Sequence, residues 1–365
     1  MPRKQKKIPV GILGATGLVG QEYVHLLRNH PWFSVVYLAA SKNSAGKTYK
    51  KAVAGRWHIK SQIPKECTSI KVDNINNIKE AAKKCAVIFS AVKMPSHNDI
   101  KKLELAYSKA GMAVFSNNSA HRFSKDVPLL IPEINASHIR EIVRQQKHYK
   151  IKGFIVVKPN CSLQSYLLPV YALLKAGYDI KKIMVTTMQA ISGAGATSIK
   201  EFGIAENVIP YIDGEEEKTE QEPLKILKDY PGLKISAHCN RVPVVHGHMA
   251  CVSVLFGKRK PSQKQILQIW KNFKALPQQY CLPLAPKQPI RYYSDNNRPQ
   301  PLIDRDEDKA MAVSVGRLRK CPVLDYKFVG LSHNLVRGAA GGNILNAELL
   351  YKMGYIKHAL TSKSK

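Results

Sequence analysis

One cysteine in the middle of the chain stands where a reactive thiol could form. Cys161 follows the apolar run Phe154–Val157, which predicts a strand, and precedes a predicted helix over Ser162–Ala176. A thiol in the first turn of a helix lies near unpaired backbone N–H groups and the positive end of the dipole, and both favour the thiolate. The same N–H groups could hold an oxyanion if the thiolate attacks a carbonyl. By position alone, a nucleophile and an inert buried thiol are equally good interpretations.

A glycine-rich turn near the N-terminus joins a short apolar strand to a helix predicted over Gln21–Asn29. Glycines at such a junction let the backbone approach a pyrophosphate at the helix N-terminus. The spacing is G-x-x-G-x-x-G rather than G-x-G-x-x-G, so the strand and helix on either side carry the argument. The alternative is a turn without a ligand. The predicted dinucleotide-binding residues are Gly14, Thr16, Gly17, Leu18, Val19 and Gly20.

The end of the next predicted strand, Val35–Ala40, bears on which dinucleotide would bind. An NAD enzyme usually has Asp or Glu there, which accepts a hydrogen bond from the ribose 2′-hydroxyl. This chain has Ser41, Lys42 and Ser44 instead. Hydroxyls and a lysine suit a 2′-phosphate, which a carboxylate would repel. The predicted cofactor is therefore NADP, and the alternative is an ordinary polar loop.

Composition excludes several classes of protein. A chain of 365 residues with 44% hydrophobic content can form two packed domains. It has no apolar run long enough to span a membrane and no signal-peptide pattern before the first strand. Seven scattered cysteines fit free thiols better than a disulfide framework, so we expect a cytoplasmic protein. Metal is not expected, because no His/Cys/Asp cluster has ligand spacing.

The formal net charge of +31 is unusually high for a metabolic enzyme. Such a charge favours polyanions and also attracts phosphorylated substrates. The lysines are spread along the chain, mostly singly or in pairs, without a zinc-finger or RNA-recognition signature. We favour a solvated surface and no specific nucleic-acid partner. A basic nucleic-acid-binding protein that retains a dehydrogenase fold is the alternative from a different class.

Strands and helices alternate through the first part of the chain. Cys85–Ala91 and Met112–Ser116 predict strands, and Asp99–Gly111 predicts the helix between them. This alternation predicts an α/β fold, a Rossmann-like doubly wound parallel sheet with ligands at the carboxyl ends of its strands.

Beyond Cys161 the pattern predicts an α+β catalytic and dimerisation domain. Strands are expected at Ile183–Gln189 and Ala250–Phe256, and the proline-bearing stretch Pro283–Pro301 is expected to be a surface loop. A last helix, Ile344–Met353, is expected to return to the nucleotide domain. The predicted domains are 1–158 completed by 338–365, and 159–337.

Motifs along nearly the whole chain resemble, in order, those of the archaeal and fungal branch of aspartate-semialdehyde dehydrogenases. Each could occur by chance, but the ordered set is specific. It comprises the glycine loop, the Pro159–Ser162 elbow and residues 117–122, 127–135, 189–195, 214–218, 241–248, 298–301 and 338–340. The resemblance implies reduction of 4-phospho-L-aspartate to L-aspartate 4-semialdehyde with NADPH. This reaction is the branch step towards lysine, threonine and methionine.

The resemblance also implies catalytic roles. Cys161 would attack the acyl phosphate and form a thioester, which hydride then reduces. His248 would be the general base and acid, and the family pattern selects it over the nearby His246. Gln189 would orient the intermediate, and Asn160 would contribute with the Cys161 amide to an oxyanion hole.

Charged substrate groups would be bound by further family positions. Arg241 matches the residue that pairs with the α-carboxylate, since its planar fork suits bidentate bonding. Glu216 resembles the partner of the α-ammonium, with Glu215 and Glu217 as alternatives one residue away.

The remaining implied contacts concern phosphate and the cofactor. Arg122 and Lys218 resemble the phosphate-binding pair, and Lys218 could also hold the substrate. Ser192 and Gly193 lie in a loop that touches the cofactor in the family, and Asn343 is a candidate nicotinamide contact.

Two related enzymes are rivals to this interpretation. An NADP-dependent malonyl-CoA reductase would keep the cysteine and the histidine, but its substrate has no α-ammonium for the glutamates near Lys218. An N-acetyl-glutamyl-phosphate reductase would share the chemistry but not the Glu-Glu-Glu-Lys signature. The family suggests a homodimer or homotetramer assembled through the second domain.

Overall fold

The computed structural model describes residues 6–195 and 206–356. The chain divides into two compact units, unit 1 (1–130, 137–158 and 343–365) and unit 2 (131–136 and 159–342). The sequence-based division differs in two places. A short segment before residue 137 belongs to unit 2, and the return to unit 1 comes at residue 343 rather than 338.

Unit 1 contains a six-stranded sheet in the order β3-β2-β1-β4-β5-β6. Its strands are β1 (Ile8–Leu13), β2 (Phe33–Ala40), β3 (Asp73–Asn74), β4 (Val87–Ser90), β5 (Ala113–Ser116) and β6 (Phe154–Val157). All of these pairings are parallel. The strand order reverses between β1 and β4, where doubly wound sheets bind their ligands. The predicted fold of this part is confirmed.

The longer helices of unit 1 are α1 (Leu18–Leu26), α2 (Ile78–Lys84), α3 (His97–Lys109) and α4 (Glu141–Tyr149). Shorter helical turns are Tyr49–Ala52, Lys65–Thr68, Ser119–His121 and, at the boundary of the units, Ala136–Arg140. Helix α3 begins two residues before the predicted Asp99, because the Ser96 hydroxyl caps it by accepting from the Asp99 N–H.

Unit 2 contains a mixed sheet in the order β10-β11-β12-β9-β7-β8. Its strands are β7 (Ile180–Gln189), β8 (Lys234–Arg241), β9 (His248–Phe256), β10 (Ile290–Tyr293), β11 (Val313–Lys320) and β12 (Tyr326–Ser332). The expectation that Pro283–Pro301 forms a surface loop was wrong in part, since β10 lies within this stretch and pairs with β11. Four residues are too few for strand alternation to be recognised in a polar, proline-bearing stretch.

The described part of unit 2 also contains three longer helices and several short helical turns. They are α5 (Leu167–Lys175), α6 (Glu215–Ile226) and α7 (Gln263–Asn272), with short turns at Pro132–Asn135, Ser162–Ser165, Ile191–Ala194, Leu276–Gln279, Pro301–Asp304 and Glu307–Ala310. A π-helical turn, Val336–Ala340, precedes α8 (Gly341–Lys352), which crosses into unit 1. No helix in the described ranges is long and apolar enough to cross a membrane.

The predicted helix Ser162–Ala176 is interrupted. Ser162–Ser165 forms a 3₁₀ turn, and α5 starts only at Leu167, because Tyr166 has a φ of −139°. Pro169 is the third residue of α5, where its missing N–H costs no intrahelical bond. Cys161 therefore precedes a tight 3₁₀ turn rather than a regular α-helix.

Candidate active site

Cys161 contacts a histidine of unit 2. Its Sγ lies 3.3 Å from Nε2 of His248, the first residue of β9. The cysteine is partly exposed, whereas the histidine is fully buried. A partly exposed thiol beside an imidazole is the arrangement that nucleophilic catalysis requires.

The backbone next to β7 determines the tautomer of His248. The Ala190 N–H donates to Nδ1 at 2.9 Å, so a neutral imidazole carries its proton on Nε2, facing the sulfur. Burial, reinforced by the charge of Arg241, lowers the pKa of His248 to about 3. The ring is therefore neutral near pH 7 and can donate a hydrogen bond to a thiolate.

Arg241, the last residue of β8, lies beside this pair. Its Nη1 donates to the Ala190 carbonyl at 2.8 Å, and the side chain is buried. Burial lowers the pKa of Arg241, but a guanidinium still remains charged at neutral pH. Gly193 permits this close packing, since a Cβ there would lie 3.0 Å from Arg241 Nη1 and 3.0 Å from His248 Cε1.

Glu215 is the member of the acidic run that reaches the residues around Cys161. Its carboxylate accepts from Asn160 Nδ2 at 2.8 Å, Gln189 Nε2 at 3.1 Å and Lys218 Nζ at 3.0 Å. Burial alone would raise the pKa of Glu215, but the charge of Lys218 and these three hydrogen bonds outweigh it and lower the pKa. The carboxylate is therefore ionised at the candidate site.

The other two glutamates of the run point elsewhere. Glu216, the residue selected from the sequence, accepts from the backbone N–H of Cys239 on β8 at 3.0 Å, and Glu217 is exposed. Successive helical residues are rotated by about 100° from one another, so one residue of register changes the face. Of the three glutamates, Glu215 is the one that contacts Asn160 and Gln189, so it is the better candidate for the role predicted for Glu216.

A buried glutamate that the sequence analysis missed anchors the backbone before Cys161. Glu222 accepts from the Asn160 N–H at 2.7 Å and is fully buried. It lies seven residues after Glu215, two turns along the same face of α6. That spacing is the signal by which it could have been found.

Asn160 has its side-chain amide engaged on both sides. Oδ1 accepts from the Ser162 N–H at 3.0 Å, and Nδ2 donates to Glu215. Glu215 takes one of the two N–H groups of Nδ2. These bonds fix the orientation of the Asn160 amide beside Cys161, and its oxyanion-hole contact stays a prediction.

Gly338 lies directly against Cys161. A Cβ built on it would be 2.7 Å from the Cβ of Cys161, closer than real Cβ contacts allow. The π-helical turn that contains Gly338 thus leaves room for the cysteine only because this residue has no side chain.

His246, the rival histidine, belongs to a neighbouring cluster. Its Nδ1 is 2.9 Å from the Ser192 hydroxyl, which also accepts from Asn334 Nδ2 at 2.9 Å. Its ring stacks on His333, with centroids 5.5 Å apart. His248 is therefore the histidine that contacts Cys161.

In unit 1, the glycine loop has the features that a pyrophosphate needs. Gly14 has a φ of +76°, and a Cβ on Gly20 would lie 2.2 Å from the Gly14 carbonyl oxygen. Gly17 is the N-cap of α1 and offers no side-chain cap, so the N–H groups of Leu18 and Val19 are left for a ligand. These residues fit a dinucleotide phosphate. The carbonyl of Thr16 accepts a hydrogen bond from the Gln21 side chain, which holds the loop against α1.

The predicted 2′-phosphate loop is exposed at Ser41 and Lys42, but Ser44 is buried. The Ser44 hydroxyl accepts from Arg56, a residue that the sequence analysis missed. Asn343 is fully buried, and its Oδ1 accepts from Asn346.

Arg122 and Lys218 lie in different units. Arg122 is buried in unit 1, where its Nε donates to the Lys158 carbonyl at 3.1 Å. Within the described ranges, no three His, Cys, Asp or Glu side chains are grouped to hold a metal ion.

Comparisons with known proteins identify the family of this chain. Residues 9–142 match the family described as "Semialdehyde dehydrogenase, NAD binding domain", and 170–337 match its "dimerisation domain". Aspartate-semialdehyde dehydrogenases of Schizosaccharomyces pombe and Archaeoglobus fulgidus are each 40% identical to the chain, covering 94% of it and 98% of the relative. The chain belongs to the aspartate-semialdehyde dehydrogenase family.

A solved member of this family supports the same fold. The crystal structure of aspartate-semialdehyde dehydrogenase with NADP from Candida albicans has a TM-score of 0.84 and 37% identity, covering 95% of this chain and 99% of that one. The family resemblance seen in the motifs and the prediction of an oxidoreductase are thereby confirmed.

The buried histidines make a prediction about stability. Burial lowers the pKa of both His248 and His333 to about 3, so between pH 3 and 6.5 the unfolded chain binds more protons than the folded one. Their stabilising contribution is complete above pH 6.5 and is lost as the pH falls. From pH 6.5 to 5 the loss is about 2 kcal/mol per histidine at most.

Urea unfolding at pH 7.5 and 5 checks this. The test variant is His333→Asn, which removes one of the two titrating rings. Its side-chain carbonyl can replace Nδ1 as the acceptor for the N–H groups of Leu335 and Val336. This variant should show a smaller pH dependence than the wild type. Equal pH dependence in the two proteins would contradict the prediction.

Proposed function

We propose that this protein reduces 4-phospho-L-aspartate to L-aspartate 4-semialdehyde with NADPH through a thioester on Cys161. The observation that carries the proposal is the 3.3 Å contact between Cys161 Sγ and His248 Nε2, with Arg241 and Glu215 beside it. The group that supplies hydride is NADPH, and the glycine loop of unit 1 is the part of the chain that fits it.

Acylation requires a thiolate and a good leaving group. The Cys161 thiolate would form the C–S bond as the C–O bond to phosphate breaks, and phosphate leaves as an anion. The Nε2–H of His248 would donate to the sulfur and stabilise the thiolate before attack. This step needs no proton from the chain.

Release of the aldehyde follows similar logic. After hydride reaches the thioester carbon, the oxyanion reforms a carbonyl, the C–S bond breaks and the thiolate returns to the Nε2–H donor. With Nδ1 accepting from Ala190, His248 would act in these two steps as a hydrogen-bond donor to the sulfur, and its expected role as general base and acid stays a prediction. The Cys161 N–H and the Asn160 side-chain amide would be the donors to the oxyanion.

The charged residues match the polar groups of the substrate. Arg241 would pair with the α-carboxylate and Glu215 with the α-ammonium. Lys218 would bind phosphate or the substrate while it also orients Glu215, and Arg122 is proposed as the second phosphate ligand. Gln189, which donates to Glu215, would orient the intermediate.

Replacing Glu215 with glutamine should raise the KM for aspartate semialdehyde by about 10- to 100-fold, since a charge-assisted bond to the ammonium is lost. The matched control is Glu217→Gln, which removes the same charge from an exposed residue of the same helix. Steady-state kinetics check the prediction. Equal KM values for the two variants would contradict the assignment.

The reverse reaction tests the function itself. The purified protein should oxidise aspartate semialdehyde in the presence of NADP and phosphate, and activity should depend on both. A protein that turns over malonyl-CoA but not aspartate semialdehyde would overturn the proposal and favour the reductase rival. Tight, sequence-selective nucleic-acid binding at physiological salt, without this activity, would favour the non-enzymatic alternative.

Assembly and location complete the proposal. One face of the unit 2 sheet is exposed and partly apolar, with Met184 53% exposed and Cys251 exposed on neighbouring strands. The match to a dimerisation domain supports a homodimer or homotetramer formed through this unit. None of the seven cysteines, all of which lie in the described ranges, forms a disulfide, and this supports a reducing compartment such as the cytoplasm. The pathway assigned is lysine, threonine and methionine biosynthesis.

A further inference from the structure

A cation outside every motif of the sequence lies at the predicted 2′-phosphate loop. Arg56 follows the short helix Tyr49–Ala52, and its Nη2 donates to the buried Ser44 hydroxyl at 3.0 Å. Ser44 itself is 2% exposed, so its hydroxyl holds the arginine rather than facing solvent. The guanidinium of Arg56 is therefore anchored on this loop, although Arg56 lies 12 positions after Ser44 in the sequence.

The guanidinium is oriented by the backbone as well. Nε and Nη2 both donate to the Ala52 carbonyl, at 3.0 and 2.7 Å. Nη1 has no hydrogen-bond partner in the described ranges, and the side chain is exposed. Two of the three nitrogens thus hold the group in place, and the third remains for a ligand.

The segment that carries Arg56 is tied to the glycine loop. The buried Gln21 of α1 donates to the carbonyls of Arg56 and Thr16, at 2.8 and 3.0 Å. The Tyr49 hydroxyl donates to the Ala15 carbonyl at 2.9 Å. The pyrophosphate loop and the arginine are therefore held in one hydrogen-bonded assembly within unit 1.

We propose that Arg56 binds the 2′-phosphate of NADP and is the main residue that selects NADP over NAD. A guanidinium fixed at this end of β2 suits a phosphate dianion, and an arginine near this loop is a known physical solution for the extra phosphate. Lys42 is exposed and Lys47 donates to the Asn43 carbonyl, so both are less precisely directed. The inference rests on the proposed use of NADP.

A purely structural role is the competing explanation, because the bonds to Ala52 resemble a helix cap. Arg56→Gln separates the two roles. The glutamine amide can still donate within the segment, but it carries no charge. The matched control is Lys50→Gln, which removes a charge from an exposed residue six positions away.

The readout is binding of two fragments, 2′,5′-ADP and 5′-AMP, to wild type and variants by calorimetry. Arg56→Gln should weaken 2′,5′-ADP by about 10- to 100-fold and leave 5′-AMP unchanged, since one charge-assisted contact is lost. Arg56→Lys should recover part of the loss, because it restores charge without the fork. Lys50→Gln should bind both fragments as the wild type does.

Three results would overturn the proposal. Arg56→Gln binding 2′,5′-ADP like the wild type would remove Arg56 and leave the use of NADP standing. Equal weakening of both fragments would indicate a structural role. A wild type that does not distinguish the fragments would overturn the use of NADP as well. The reverse assay reports separately on the substrate.

Discussion

Replacing Cys161 with alanine should reduce turnover by roughly 10⁴-fold or more, because the proposed thioester cannot form without the sulfur. The substitution removes one partly exposed atom, so the melting temperature should change little. Steady-state assays in the reverse direction measure the loss. The variant should still bind 2′,5′-ADP, since the glycine loop and Ser44 lie in the other unit.

The control for this prediction is Cys281→Ala, which removes an exposed thiol from a different part of unit 2 and should keep full activity. Mass spectrometry adds a direct test. Wild type incubated with aspartate semialdehyde and NADP, but without phosphate, should retain an acyl group on Cys161. A Cys161→Ala enzyme with more than a tenth of wild-type turnover would contradict the proposed chemistry.

Adding one methyl group at Gly338 should reduce turnover by about 100-fold, because it displaces the nucleophile. The new Cβ would lie 2.7 Å from Cys161 Cβ and 3.3 Å from its Cα, so the elbow or the π-helical turn has to shift. Gly338 does not have a positive φ, and alanine is preferred to glycine in helical backbone. The expected defect is therefore one of position rather than of folding.

Kinetics and thermal unfolding together check this prediction for Gly338→Ala. The control is Ala339→Gly, which changes the same turn without adding atoms beside Cys161. The alanine variant should lose kcat with little change in melting temperature, and the control should keep most of its kcat. Wild-type kcat in Gly338→Ala would show that the sulfur tolerates displacement.

The sequence predicted correctly the structural features that are formed by residues close together in the chain. The glycine loop between β1 and α1 was predicted because a strand, glycines and a helix follow one another directly. The position of Cys161 after β6 was predicted for the same reason, and the order of the motifs identified the family. Hydrophobic periodicity and turn chemistry act over a few residues, so they are visible in the chain itself.

Predictions of the extent of individual helices and strands were less reliable. The predicted helix after Cys161 is broken at Tyr166, and β10 was taken for a loop. In both cases tertiary packing decides whether a short segment with weak local preference adopts the regular form.

Which side chains meet was decided only by the tertiary structure. Glu215 rather than Glu216 reaches Asn160 because α6 begins at Glu215, after its N-cap Gly214, and a shift of the helix by one residue would turn a different side chain to the elbow. Glu222 anchors Asn160 across 62 positions, and Arg56 reaches Ser44 across 12. The sequence by itself determined the fold and the family, and it singled out Cys161 as the candidate nucleophile. The side chains that surround Cys161 and the arginine at the predicted 2′-phosphate loop depend on contacts between residues separated along the chain, which no local pattern encodes.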